Sequence, residues 1–319
     1  MKTALVLETN NLRRGGDVTK SLERLLQHLA PQLANVAELV VTHDGDAERA
    51  RLERAAERSV RFVELPPATG YYQAKNLGFD ATTADVVAFG DADCWPDRHW
   101  LDRLLRPFAA DPSVSVVAGR TTYRDDVLGR AATAIDFMYF ASPLGAECTR
   151  NFYANNVAFR RDTFARFRYL ADPKIYRGHC QRLGMRLAAA GVPVHYEPAA
   201  HTVHRFPDTT GELLRLRLLR GADTVQMTRH FSEAFLPPNL TWLGRLGPIS
   251  PLGVLATRFG FSARTLGARH PASLGVVAAI TAADAVGALA GAFGVGFGVV
   301  DGGLRDGALR YHGNRDQLQ

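Results

Sequence analysis

Two carboxylates one residue apart, Asp91 and Asp93, follow directly on the apolar run Val86-Val87-Ala88-Phe89-Gly90. Side chains at i and i+2 of an extended segment share a face, so the pair can converge on one oxygen-ligated divalent cation, Mg²⁺ or Mn²⁺. Such a cation would in turn hold a diphosphate. Pro96 cannot continue a ladder, which places the pair at the C-terminal tip of a buried strand, where open α/β sheets bind their ligands. A solvated Asp-x-Asp turn has the same spelling, and the apolar strand in front of it favours the functional reading. Just ahead, Gly70-Tyr71-Tyr72-Gln73-Ala74-Lys75-Asn76-Leu77-Gly78 reads as a glycine turn leading into a helix. Lys75 there offers a phosphate or pyrimidine contact, with a merely solvated lysine as the alternative.

The elements that must position these groups alternate. Ala4 to Leu7 is a short buried-strand pattern running into the polar set Glu8-Thr9-Asn10-Asn11. Asp17 can cap a helix through Leu29, with Leu22, Leu25, Leu26 and Leu29 on one face. Leu39 to Val41 is a second strand, ending in Thr42-His43-Asp44, and a helix over about 47–58 leads to a third strand over 60–65. Strand, helix, strand, helix, strand is the order of a parallel sheet with right-handed crossovers. Downstream, the pattern predicts a helix from Trp100 to Phe108, a strand over 114–119, a helix over 128–141 and a strand over 192–196.

The chain of 319 residues can bury a large core and carry an appendage. A hydrophobic fraction of 46% with 22% charged residues excludes wholesale disorder. The net charge of +6 suits anionic phosphates or a lipid surface. No basic run is interleaved with aromatics, so nucleic acid is not an expected partner. Cys94, Cys148 and Cys180 are scattered without C-x-x-C spacing, which argues against a disulfide framework or a zinc site and fits a reducing cytosol. The apolar run before Glu8 is too short for a secretory signal.

Taken in order, these motifs resemble the family 2 nucleotide-sugar glycosyltransferases of GT-A fold. The matches are Glu8-Thr9-Asn10, Asp44, Gly70 through Gly78, and Asp91-Ala92-Asp93 with Pro96. The resemblance implies an α/β, Rossmann-like, mostly parallel central sheet flanked by helices over 1–210, with a helical, apolar C-terminal extension over 211–319. It also implies a nucleoside diphosphate sugar donor and a divalent cation. Thr9, Asn10 and Asp44 would then meet the nucleotide and Lys75 the donor. Asp91 would serve the ribose or the metal, and Asn155 and Asn156 would face the sugar. His204, in Pro198-Ala199-Ala200-His201-Thr202-Val203-His204, matches the family histidine close to metal and diphosphate, and joins Asp91 and Asp93 as a metal ligand. The family's Glu-Asp-x-Asp-Leu run, whose first Asp is proposed as the base, is replaced by His179-Cys180-Gln181-Arg182-Leu183. Three readings stay open: His179 is the base of an inverting transfer to an unknown acceptor; the acceptor is anionic, as in polyprenyl-phosphate-type transferases, and needs none; or the protein is a silent nucleotide-sugar-binding scaffold.

From Gly211 the composition changes. An Arg-rich amphipathic helix over 212–229 and a Pro-rich linker precede Ala272 to Val300, in which Asp284 is the only charged residue and Gly287 and Gly291 have Gly-x-x-x-Gly spacing. The length permits a crossing, but the acid, the glycines and flanking arginines on both sides favour a membrane-surface or re-entrant hairpin, with a buried soluble helix as the alternative. The expected location is cytoplasmic, peripheral on the inner face of the cell membrane.

Overall fold

In strand β1 (Thr3–Glu8) the alternating side chains serve two cores, Leu5 and Leu7 on one face and Ala4 and Val6 on the other, all at most 1% exposed. The computed structural model describes residues 1–9, 18–43, 48–66, 69–170, 178–231 and 236–293. Asn10 and Asp44, and the part of the apolar stretch beyond 293, lie outside them. The first core is closed by α1 (Val18–Leu29), α2 (Arg49–Ala56) and α4 (Trp100–Ala110). The second is closed by α3 (Tyr71–Asp80), α6 (Arg161–Phe167) and α7 (His179–Ala189). The leucine face expected of the first helix, Leu22, Leu25, Leu26 and Leu29, is buried throughout.

The remaining strands are β2 (Glu38–His43), β3 (Arg61–Glu64), β4 (Val86–Asp91), β5 (Cys94–Pro96), β6 (Val116–Thr122), β7 (Cys148–Thr149), β8 (Asn156–Arg160) and β9 (Val194–His204). They lie in the order β3-β2-β1-β4-β8-β6-β9-β5, with β7 beside β9. The segment β3-β2-β1-β4 is parallel, as the strand-helix alternation requires. Beyond it β8 enters antiparallel between β4 and β6, so the sheet as a whole is mixed. Four strand pairings are parallel and four antiparallel. β9 is the longest strand, and three of its residues, Pro198 to Ala200, bulge out opposite the Gly119–Arg120 step of β6. Past the bulge β9 regains its register with β6 and pairs with β5, which sets His204 opposite Cys94.

A third layer is helical. The helix expected over 128–141 ends early, as α5 (Val127–Asp136), and α8 (Thr210–Phe231), α9 (Ser250–Leu266) and α10 (Pro271–Ala292) gather round it. Ile135 of α5 shares a core with Leu266 of α9 and with Val277 and Ile280 of α10, so the C-terminal helices are joined to the sheet region through α5. Asp284 is fully buried and is clasped by Arg217 of α8, Nε to Oδ1 at 2.8 Å. Helices α8 and α10 meet backbone to backbone. A Cβ on Gly287 would stand 2.1 Å from the Leu218 carbonyl oxygen, and one on Gly221 1.9 Å from that of Asp284. The Gly-x-x-x-Gly spacing thus serves packing within the chain. The opposite face of α10 is apolar and open, with Val286, Leu289 and Phe293 57%, 58% and 85% exposed.

Candidate active site

Strand β4 carries Asp91 at its end, a two-residue turn carries Asp93, and β5 pairs antiparallel with β9 so that Cys94 lies opposite His204. One ligand atom from each of Asp91, Asp93, Cys94 and His204 lies within 4.8 Å of all the others. The Arg205 N–H donates to the Asp93 carbonyl at 2.9 Å, locking the turn against the end of β9. His204 Nδ1 lies 2.9 Å from the Arg205 carbonyl, which can only accept, so Nδ1 donates there and Nε2 is the nitrogen turned toward the carboxylates. Nε2 faces Asp93 Oδ2 at 3.7 Å. A backbone carbonyl that fixes the far nitrogen is the usual way a ligating imidazole is oriented. The rings of Tyr123 and Phe137 pack on His204 at 5.7 and 6.0 Å between centroids. Carboxylate oxygens with one neutral imidazole nitrogen suit Mn²⁺ or Mg²⁺, so the residues present fit the implied cation.

Cys94 and Asn155 brace this corner. Burial, then the charges of Asp93 and Asp91, push the Cys94 thiol well above its ordinary value, so it stays protonated and stands as a donor 3.9 Å from Asp93 Oδ1. Its sulfur accepts from Asn155 Nδ2 at 3.5 Å, and Asn155 Oδ1 accepts from the Thr121 hydroxyl at 3.0 Å. Asn155 therefore backs the cation site from behind.

Asp91 is held from two sides. Its Oδ1 lies 2.5 Å from Lys75 Nζ and its Oδ2 accepts from the Tyr71 hydroxyl at 2.8 Å. Lys75 is fully buried, donates also to the Gly90 carbonyl at 3.2 Å, and sits over the Tyr71 ring. Lys75, expected to contact the donor, here neutralises Asp91 in the interior, where a lone carboxylate would be costly. Burial first, then Asp91, raises the Tyr71 phenol well above its ordinary value, which keeps it a donor. Glu8, 1% exposed, lies abreast of Asp91 across the β1–β4 register. Thr9 is buried and donates to the Thr42 carbonyl at 2.9 Å.

Asn156, expected to face the sugar, has its side chain engaged within the protein. It is fully buried; its amide donates to the Arg120 and Ala200 carbonyls, both at 2.9 Å, and its Oδ1 accepts from the Trp100 indole at 2.8 Å. Ala200 lies in the β6–β9 bulge and Arg120 is where the register resumes, so the side chain ties the two strands together at the irregularity. His179 opens α7 at 4% exposure, its ring against Tyr72 at 4.6 Å. It does not belong to the group that converges on Asp93 among the described residues. Sequence reasoning missed Tyr71, Cys94, Tyr123 and Phe137. Tyr71 precedes Lys75 by four residues on one helix face, a signal that was there to use; the two rings against His204 left none.

A family model described as "Glycosyl transferase family 2" matches residues 17–176. The chain is 28% identical over 174 residues to a pre-mycofactocin glycosyltransferase of Mycobacterium tuberculosis, covering 52% of this chain and 37% of that protein. It is 25% identical to a glucosyl-dolichyl phosphate glucuronosyltransferase of Haloferax volcanii, covering 51% of this chain and 54% of that one. It thus spans only about a third to a half of the length of these curated relatives. Among solved structures, a mannosyltransferase of Pyrobaculum calidifontis in complex with GDP-Man and Mn²⁺ superposes with a TM-score of 0.57 at 19% identity, covering 91% of this chain and 86% of that one. The chain belongs to glycosyl transferase family 2 and has the GT-A fold.

Proposed function

We propose that the protein transfers a sugar from a nucleoside diphosphate donor in a cation-dependent, inverting displacement. The observation that carries this reading is the convergence of Asp93 and Nε2 of His204 beside Asp91 at the carboxyl end of β4. Asp93 and His204 would hold Mn²⁺ or Mg²⁺, which when bound supplies positive charge to the departing diphosphate. The Pyrobaculum mannosyltransferase, crystallised with GDP-Man and Mn²⁺, lends support to both donor and ion. Lys75 and Tyr71 fix Asp91 so that its outer lone pairs meet the ribose or the cation without rearrangement. Cys94 and Asn155 hold Asp93 in place. Thr9, Asn10 and Asp44, at the ends of the first two strands, would meet the nucleotide. With a neutral acceptor, His179 is the titratable residue at the family's base position.

The open apolar face of α10 supports a peripheral seat on a lipid surface at the inner side of the membrane. Mass spectrometry of a panel of nucleotide sugars incubated with the protein tests the transferase reading. Wild type should consume one donor, with or without an acceptor, and Asp93→Ala or a chelator should abolish that. Turnover indifferent to both would sink it.

A further inference from the structure

Cys94 is the unusual member of the group at the carboxyl end of β4. Its sulfur, one oxygen each of Asp91 and Asp93, and a ring nitrogen of His204 lie within 4.8 Å of one another. Asp93 stands between Cys94 and His204, with Oδ1 3.9 Å from the sulfur and Oδ2 3.7 Å from Nε2. Two ligands of one zinc ion, each about 2.0–2.3 Å from it, are at most about 4.6 Å apart, and both of these spacings fall inside that bound. The strand register makes the arrangement. Cys94 pairs with His204 across β5 and β9, so sulfur and imidazole arrive from adjacent strands. Ligands gathered from two strands need no C-x-x-C spacing.

The sulfur is also supported as a ligand. Asn155 Nδ2 donates to it at 3.5 Å, and the Thr121 hydroxyl, donating to Asn155 Oδ1 at 3.0 Å, fixes which end of the amide faces the sulfur. An N–H aimed at a cysteine sulfur favours the charge of a thiolate, as the Arg205 carbonyl orients the His204 ring from behind. Asp91 already accepts from Lys75 and Tyr71, so the principal donors are Asp93, Cys94 and His204. One oxygen, one sulfur and one nitrogen make a softer set than the all-oxygen shell that suits Mg²⁺, and sulfur with imidazole favours zinc over Mn²⁺.

We propose that the cation site doubles as a zinc site in which Cys94 is the discriminating ligand, so that Zn²⁺ displaces Mn²⁺ or Mg²⁺ and blocks the donor; the effect on the donor rests on the transferase reading above. A hard ion, which prefers oxygen, leaves the sulfur to brace Asp93. As the sulfur bonds to Zn²⁺ the thiol proton passes to solvent, and no electron changes hands. With Asp91 completing four protein ligands, no position stays open for the diphosphate.

Co²⁺, a spectroscopic stand-in for Zn²⁺, tests this on the full chain. Wild type with Co²⁺ should show visible d–d bands together with a near-ultraviolet sulfur-to-cobalt charge-transfer band. Cys94→Ser should keep the first and lose the second, and Cys148→Ser should keep both. Zn²⁺ should abolish the nucleotide-dependent uptake of Mn²⁺ by wild type, and Cys94→Ser should weaken Zn²⁺ at least about tenfold more than it weakens Mn²⁺. Should Cys94→Ser fail to fold by circular dichroism, zinc-edge X-ray absorption of the wild type decides, with one sulfur at about 2.3 Å expected. Co²⁺ bands without charge transfer, or a zinc shell without sulfur, overturns the proposal and leaves the cation site standing. A sulfur-ligated ion in a protein that never takes up Mn²⁺ would support the zinc site and count against the transferase reading, while no ion bound at all overturns both.

Discussion

Replacing Lys75 with methionine separates the two roles open to a lysine at this position. Lys75 is fully buried and Asp91 3% exposed, and the ammonium contributes the shorter of the carboxylate's two hydrogen bonds, 2.5 Å against 2.8 Å from Tyr71. Removing the cation leaves Asp91 in the interior with a phenol for company and buried Glu8 abreast of it. Breaking one side of a buried pair costs about 3–5 kcal/mol. At roughly 2–3 °C per kcal/mol, Lys75→Met should lower the melting temperature by about 6–15 °C. The same substitution placed on Asp91→Asn removes a cation that no longer has a carboxylate to neutralise, so its cost should shrink by about 2–3 kcal/mol in a double-mutant cycle. Differential scanning calorimetry of the four proteins without donor reads both numbers. A lysine that reached out to a donor phosphate would behave otherwise: Lys75→Met would melt within about 2 °C of wild type, and the donor KM alone would rise. That result would refute the assignment of Lys75 as the counter-ion of Asp91.

Asn156→Ala should cost about 2–4 kcal/mol by denaturant titration, because it strands the Arg120 and Ala200 carbonyls and the Trp100 indole, while leaving the donor KM of the folded fraction near that of wild type. Asp136 has a folded pKa held below its ordinary 3.8, so its charge contributes full stability above that pH and the contribution is lost as pH falls toward the folded value. The stability gap between wild type and Asp136→Asn should therefore be constant at neutral pH and narrow below about pH 4 in thermal melts. Full-length protein should float with lipid vesicles through the outer face of α10, and Leu289→Glu with Phe293→Glu should abolish flotation without lowering the melting temperature, since both side chains are exposed.

The parallel half of the sheet was legible because β1, β2 and β4 are apolar runs ending in polar residues with amphipathic helices between them. The convergence of Asp93 and His204 was legible only through motif order, since 111 residues separate them and the β5–β9 pairing that brings them together has no local signature. Asp284 shows the limit most plainly. An acid in an apolar helix reads as an obstacle to membrane insertion, and its meaning depends on Arg217, 67 residues earlier on another helix. The protein partners of Lys75 and Asn156 were illegible for the same reason: each is a polar side chain whose partners come from other elements, and spacing along the chain says nothing of burial. The antiparallel entry of β8 likewise follows from the route of the chain through α5 and β7, which local propensity does not specify.

The central claim is that Asp93 and His204 form the cation site on which donor binding depends. Electron paramagnetic resonance of Mn²⁺ titrated into the protein with a nucleoside diphosphate tests it without any acceptor. Wild type should take up one Mn²⁺ per chain in a nucleotide-dependent manner, and Asp93→Ala and His204→Ala should each weaken that uptake at least tenfold. Mn²⁺ uptake unchanged in both variants would contradict the account.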